Sequence, residues 1–345
     1  MTERISLRDI AARAGVHFST VSLALKNSPR LSLVTRQRIQ QIAADLGYRH
    51  DPWLDALVAY RDAKRRQRHP TVLGYVSCWD APIESLPHHR HFWTGARLRA
   101  EELGIKLEPF SLAEPHMSAA RLEKILQARG IECMILSSFS EGAERLDFDW
   151  SRLAAVRVEF QPAWPPVATV SVDHLRIIQE AVRQVLLLGY RRPGLVLGHN
   201  WSQLVEDHWL IGFAWSQRQL APEDRIPPLA TRYQDSAETA RRQFRSWFAE
   251  HAPDVILGAH GTIEARLESS RADIPRAFAL ADPFLEQPHP FYAGVAHPLK
   301  AVGAKAVEQL VGMLTQNARG IPAEVTRTYV DGRWCPGPSC PPRSS

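Results

Sequence analysis

The chain has 345 residues, with 42 Lys and Arg against 37 Asp and Glu and a hydrophobic share of 45%. That is apolar enough for buried cores and long enough for more than one domain, which excludes a disordered or collagen-like chain. The charge is uneven: the first seventy residues hold 13 Lys/Arg against 6 Asp/Glu, and the other 275 hold 29 against 31. A basic head on a near-neutral body suits a polyanion partner. A solvated arm would carry its charge in a low-complexity run, whereas here the basic residues interleave with regular apolar positions.

The first elements are helical. Leu7, Ile10, Ala11 and Ala14 have i, i+3, i+4, i+7 spacing, and Gly15 stops the helix. A second helix starts at Phe18 or Ser19, with Val21, Ala24 and Leu25 as its apolar face and Thr20, Ser22 and Leu23 around the remainder. Two short helices joined by a tight turn follow helix-turn-helix grammar, in which the second helix reads base edges. A third helix is capped by Ser32, carries a core stripe of Val34, Ile39, Ile42, Ala43 and Leu46, and ends at Gly47. Asp51-Pro52 then starts a short helix with Trp53, Leu54, Leu57 and Val58 on one face, followed by the basic run Lys64, Arg65, Arg66 and Arg68. That run tracks phosphates or is simply solvated linker.

From Thr71 the texture becomes alternating β and α. The strand candidates are TVLGYVSC, IKLEPF, IECMILSS, AAVRVEF, VATVSVD and PGLVLG, with helices HFWTGARLRAEELG, AARLEKILQARG and HLRIIQEAVRQVLLLGY between them. Such alternation predicts parallel sheet covered on both faces, and the length is comfortable for two lobes.

The segment Leu7 to Tyr48 resembles the DNA-binding head of the LacI/GalR family of bacterial regulators. Asp9, Ile10, Ala11, Ala14, Gly15 and Val16 match its first motif, Thr20, Val21 and Ser22 its second, and Thr35, Arg36, Ile39, Leu46, Gly47 and Tyr48 its third. The resemblance implies a helix-turn-helix head at 1–50, a hinge helix and basic linker at 51–70, and a two-lobed body at 71–345 like the periplasmic sugar-binding proteins. It sets lobe 1 at 71–163 with 294–320, and lobe 2 at 167–292 with 321–334. The implied DNA-facing residues are Leu7, His17, Phe18, Ser19, Thr20, Ser22, Leu23, Lys26, Arg30, Thr35 and Leu57. Leu23 replaces the family's frequent arginine and offers only apolar contact, for example to a thymine methyl, so operator preference departs from the commonest half-site. His17 contacts DNA or caps its helix, and Leu57 wedges into the minor groove or packs on the body.

In the body, VDHLRIIQEAVRQVLLLGYRRPGLVLG and AVGAKAVEQLVGMLTQNARGIP match the family pattern. The resemblance places Asp282 at an acidic position that takes substrate hydroxyls, and Trp209 where an arginine usually completes the grip. A planar indole stacks on a sugar face but cannot clamp two-pronged. His88, His89 and His260 fall on further pocket positions or are surface and core histidines.

An enzyme would need a nucleophile, an acid–base pair or a metal cluster. Consecutive His88, His89, Arg90 and His91 lack the helical spacing of a two-histidine metal site, and GLVLGHN lacks the third glycine and acidic residue of a dinucleotide fingerprint. No catalytic residue, metal or cofactor is expected. No apolar stretch reaches the roughly 18 residues of a membrane span, and the charged N-terminus is no signal peptide. The alternative, a solute receptor of sugar transport, shares the body but has no use for the head. Cys78, Cys133, Cys335 and Cys340 show no metal spacing and are expected to be reduced thiols, the last two in a frayed Pro-rich tail. The expectation is a cytoplasmic, nucleoid-associated regulator that binds double-stranded operator DNA as a homodimer and takes a small, sugar-like effector.

Overall fold

The computed structural model describes residues 5–25, 28, 31–48, 71–79, 81–137, 139, 145–232, 235–267 and 278–343, except the side chains of 199–201. The chain divides into two compact units after Arg68.

The N-terminal unit is built from α1 (Leu7–Ala14), α2 (Phe18–Leu25) and α3 (Leu33–Asp45). Ser6 opens α1 with a capping box: its hydroxyl accepts from the Asp9 amide, and the Asp9 carboxylate accepts from the Ser6 amide at 2.7 Å. Gly15 closes α1 at φ 68°, a left-handed position that a side chain would strain. Ile10, Val21, Ala24 and Ile39 are fully buried and form the centre of a small core. From α3, Arg38 donates to the Ala14 carbonyl and Gln40 to the Ala24 carbonyl, so two otherwise unpaired helix ends are satisfied by one neighbour. Val34, expected in the α3 stripe, is instead 75% exposed. It lies five residues before Ile39, a spacing that turns it off the face that Ile39 and Ala43 bury.

The second unit holds two six-stranded sheets. The first contains β1 (Val72–Ser77), β2 (Lys106–Ser111), β3 (Cys133–Leu136), β4 (Ala154–Val158), β5 (Ala168–Val172) and β11 (Arg327–Val330), all paired in parallel in the order β11-β5-β4-β3-β1-β2. The second contains β6 (Pro193–Gly198), β7 (Leu229–Thr231), β8 (Val255–Leu257), β9 (Ala279–Leu285), β10 (Ala293–Ala296) and β12 (Arg333–Cys335), ordered β12-β10-β9-β8-β6-β7 with only β12 antiparallel. Every residue of β4 and of β9 is buried, as parallel strands covered on both faces require.

The first sheet is covered by α4 (His89–Glu102), α5 (Ala119–Ala128) and α11 (Leu299–Gln316). Helices α4 and α11 pack backbone on backbone, because a Cβ at Gly303 would collide with the Phe92 carbonyl oxygen. The second sheet carries α6 (His174–Leu187), α7 (His199–Leu204), α8 (His208–Gln217), α9 (Ala237–His251) and α10 (His260–Leu267). Two apolar clusters belong each to one sheet's outer face, while a third runs continuously through both lobes.

The chain passes between lobes three times: at Asp173 between β5 and α6, at His297-Pro298 between β10 and α11, and at Asp331-Gly332 between β11 and β12. These crossings differ from the sequence-based bounds. Strands β5 and β11 stay in the first sheet, and residues 294–296 belong to the second. Proline-rich 161–166 and Ile321-Pro322 look like inter-lobe breaks, yet each is a loop within the first lobe that leads into another strand of the same sheet. The C-terminal tail is also more ordered than its composition suggests. The Ser339 hydroxyl accepts from the Ala293 amide and donates to the Leu280 carbonyl, and the Tyr190 hydroxyl donates to the Pro341 carbonyl. Cys335 and Cys340 are buried by this strap, and none of the four cysteines is in a disulfide.

Candidate functional site

In the head, α2 buries Val21 and Ala24 and leaves His17, Phe18 and Ser19 exposed at its start, Phe18 at 48%. Thr20, Ser22 and Leu23 are half-buried on the same helix. His17 caps it: its Nδ1 accepts from the Ser19 amide at 3.4 Å and pairs with the Ser19 hydroxyl at 2.8 Å, while its ring lies 4.3 Å from that of Phe18. The cap leaves the opposite ring edge outward, so capping and a base contact are compatible. Leu7 opens α1, and Thr35, on the first turn of α3, bonds the Ser32 hydroxyl at 2.8 Å. Helix starts present unpaired N–H groups and a positive dipole end, the chemistry a phosphate seeks. Lys26, Arg30 and Leu57 lie outside the described residues.

In the body, His88 meets the second lobe through Glu286, while Asp282 and His260 pair with each other within that lobe. Glu286, just beyond β9 in the second lobe, accepts from the His88 amide at 3.2 Å and from Arg90 at 2.9 Å, and bonds His91 at 3.1 Å, all at the start of α4 in the first lobe. Asp282, 2% exposed, takes the His260 amide at 2.9 Å and the His260 ring at 2.5 Å on Oδ2, and the Phe284 amide at 2.7 Å on Oδ1. It therefore holds the start of α10 in place, and its hydrogen-bonding capacity is largely taken up within the protein. Trp209 is buried with its ring edge-on to Phe284 at 4.6 Å and to His174 at 5.2 Å. His89 stands apart from these, against Trp79 at 4.8 Å and Phe92 at 6.2 Å within the first lobe.

Residues 6–51 match the family model of bacterial regulatory proteins, lacI family. The HTH-type transcriptional regulator DegA of Bacillus subtilis (strain 168) is 21% identical over 318 residues, covering 88% of this chain and 89% of its own. The family match lies within the N-terminal unit. The HTH-type transcriptional repressor CytR of Escherichia coli (strain K12) is 25% identical over 205 residues, 56% of this chain and 53% of CytR. Among solved structures, a transcriptional regulator CelR–cellobiose complex superposes with a TM-score of 0.55 at 19% identity, covering 96% of this chain and 98% of that one. The Lac repressor dimer bound to operator and the anti-inducer ONPF gives 0.54 at 16% identity, covering 98% and 100%. At these identities the likeness is one of fold.

The lobe junction also carries residues that the sequence did not single out. Glu159, at φ 63°, follows β4, and its Oε2 meets His174 Nε2 at the start of α6 at 2.8 Å and the Ser171 hydroxyl of β5 at 3.1 Å. Burial pushes the Glu159 carboxyl up, but the His174 charge and the bonds from His174 and Ser171 outweigh it and hold the carboxyl below its ordinary range. His297, on the second crossing, bonds the Pro283 carbonyl at 2.8 Å and is pushed down to about 4 by burial, as is His89. A second bridge between lobes joins Arg327 of β11 to Glu206 before α8, bidentate at 2.7 and 3.0 Å. Glu159 had one legible signal, an acidic residue at the carboxyl end of an apolar strand, where ligands bind in open α/β sheets. His174 and His297 had none, because their meaning depends on the crossings.

Proposed function

We propose that this chain is a transcription regulator, acting as a repressor, that binds a palindromic operator as a homodimer and is governed by a small-molecule effector at the lobe junction. The observation that carries this reading is the exposed start of α2, His17, Phe18 and Ser19, on a domain matching the lacI-family model. One such helix reads too few base pairs to be selective, and paired heads on a palindrome multiply the discrimination. The CelR complex with cellobiose and the Lac repressor complex with operator and ONPF support a sugar-like effector and a dimer by fold analogy. DNA-facing roles are assigned to Leu7, His17, Phe18, Ser19, Thr20, Ser22, Leu23, Lys26, Arg30, Thr35 and Leu57, and effector-facing roles to His88, His89, Trp209, His260 and Asp282.

The junction is suited to a two-state response. Beside the shared apolar cluster, its inter-lobe polar and ring contacts centre on Glu286, Glu206 and His208. A ligand that prefers one lobe angle shifts the population by its differential affinity. Footprinting on genomic fragments retained by the purified protein tests the proposal. A two-fold symmetric protected site with half-sites about one helical turn apart is expected; protection of a single asymmetric half, or none, contradicts it. No helix among the described residues is long and apolar enough to cross a membrane, which accords with a proposed cytoplasmic location.

A further inference from the structure

Taking the lobe junction as the effector site, we propose that its ligand is a small polyhydroxylated molecule bearing a protonated amine, with the amine held at Glu159. The surroundings are acidic: the His88 ring stands 3.5 Å from Glu286 and also lies in the field of Glu159 and Asp282. Their polar partners leave a gap of definite chemistry. Glu159 spends Oε2 on His174 and Ser171, while Oε1 is buried without a hydrogen-bond partner. His174 is 5% exposed and its Nδ1 is likewise unpartnered, 5.2 Å ring to ring from Trp209. A buried carboxylate oxygen and a buried ring nitrogen left unpaired are costly unless a ligand supplies the partners. An ammonium donor answers the first and a hydroxyl answers the second.

The cations nearby are already engaged. Arg90, half-exposed at the rim, serves Glu286; Arg327, over the Phe160 ring, serves Glu206; His174 serves Glu159 Oε2; and Arg157 turns away to the Pro162 and Ala163 carbonyls and the Thr169 hydroxyl. Burial keeps His89 and His297 neutral at physiological pH. A ligand carboxylate or phosphate would thus meet like charge in a low-dielectric space, whereas an ammonium meets carboxylates and the electron-rich rings of Trp209 and Phe284.

Calorimetric titration of the full-length protein with glucosamine, glucose and glucuronate tests this on one scaffold that changes only in charge. Glucosamine is expected to bind at least about tenfold tighter than glucose, the size of one charge-assisted hydrogen bond, with glucuronate weakest. Glu159→Gln, checked for folding by near-ultraviolet circular dichroism, should erase the preference for glucosamine. Should that variant misfold, the wild-type ranking decides alone. Equal or tighter binding of glucose or glucuronate, an undiminished preference in folded Glu159→Gln, or no saturable binding of any of the three overturns the proposal. Operator affinity measured with each probe separates the two readings. Glucosamine that binds selectively without changing operator affinity upholds the ligand class and defeats the junction as an effector site. A neutral or acidic probe that binds and shifts operator affinity does the reverse.

Discussion

The head and the lobe junction solve opposite problems with the same residue types. In the head, histidine and serine sit at the surface and cap a helix, and the interior is apolar, with Ile10, Val21 and Ile39 fully buried. At the junction, histidine and carboxylate are themselves the buried material: His174 is 5% exposed, His297 8% and Asp282 2%. An apolar core is indifferent to pH and needs only volume to be right. A polar one must have its partners, so a ligand or proton that supplies or removes one acts on it directly.

The largest effect expected from this contrast is in the head. Ile10→Ala removes a fully buried side chain from a core with few others to share the loss. A cost of about 3 kcal/mol is expected, a large part of what so small a domain has. Specific DNA binding should be lost while the body's calorimetric transition stays in place; a body transition that falls equally would show that the two units do not unfold separately.

A smaller effect is expected at the junction, and it should depend on pH. His297 moves from an ordinary 6.5 to about 4 because burial disfavours its charged form. A histidine pushed down stabilises the folded body above pH 6.5, and that contribution is lost as pH falls from there toward 4. The body should lose about 2 kcal/mol to this group between pH 7 and pH 5. His297→Gln keeps a donor for the Pro283 carbonyl but cannot titrate, so its urea-unfolding curves at the two pH values should lie closer together by that amount. An undiminished pH dependence would mean that His297 is not the group responsible.

What the sequence made legible follows the same divide. The head could be read because its rules are local: Ser6, Gly15, Ser32 and Gly47 punctuate helices whose spacing is visible in one pass. In the body, the strands and helices were equally plain, and His88 meets the second lobe through Glu286. The partners there were not foreseen. Glu159 and His174 are 15 residues apart but meet only because β5 stays in the first sheet while α6 leaves it. Glu286 lies 195 residues from His91. Pairings that depend on which strand neighbours which have no periodic trace, and the crossing lies at Asp173, beyond the expected lobe bound at 163–167.

The central claim is that α2 is a sequence reader, and fluorescence anisotropy on the footprinted duplex against a scrambled duplex of equal length tests it most directly. Near physiological salt the footprinted duplex should bind at least about a thousandfold tighter, and affinity for both duplexes should fall steeply as salt rises. Equal affinity for the two duplexes at every salt concentration would contradict it.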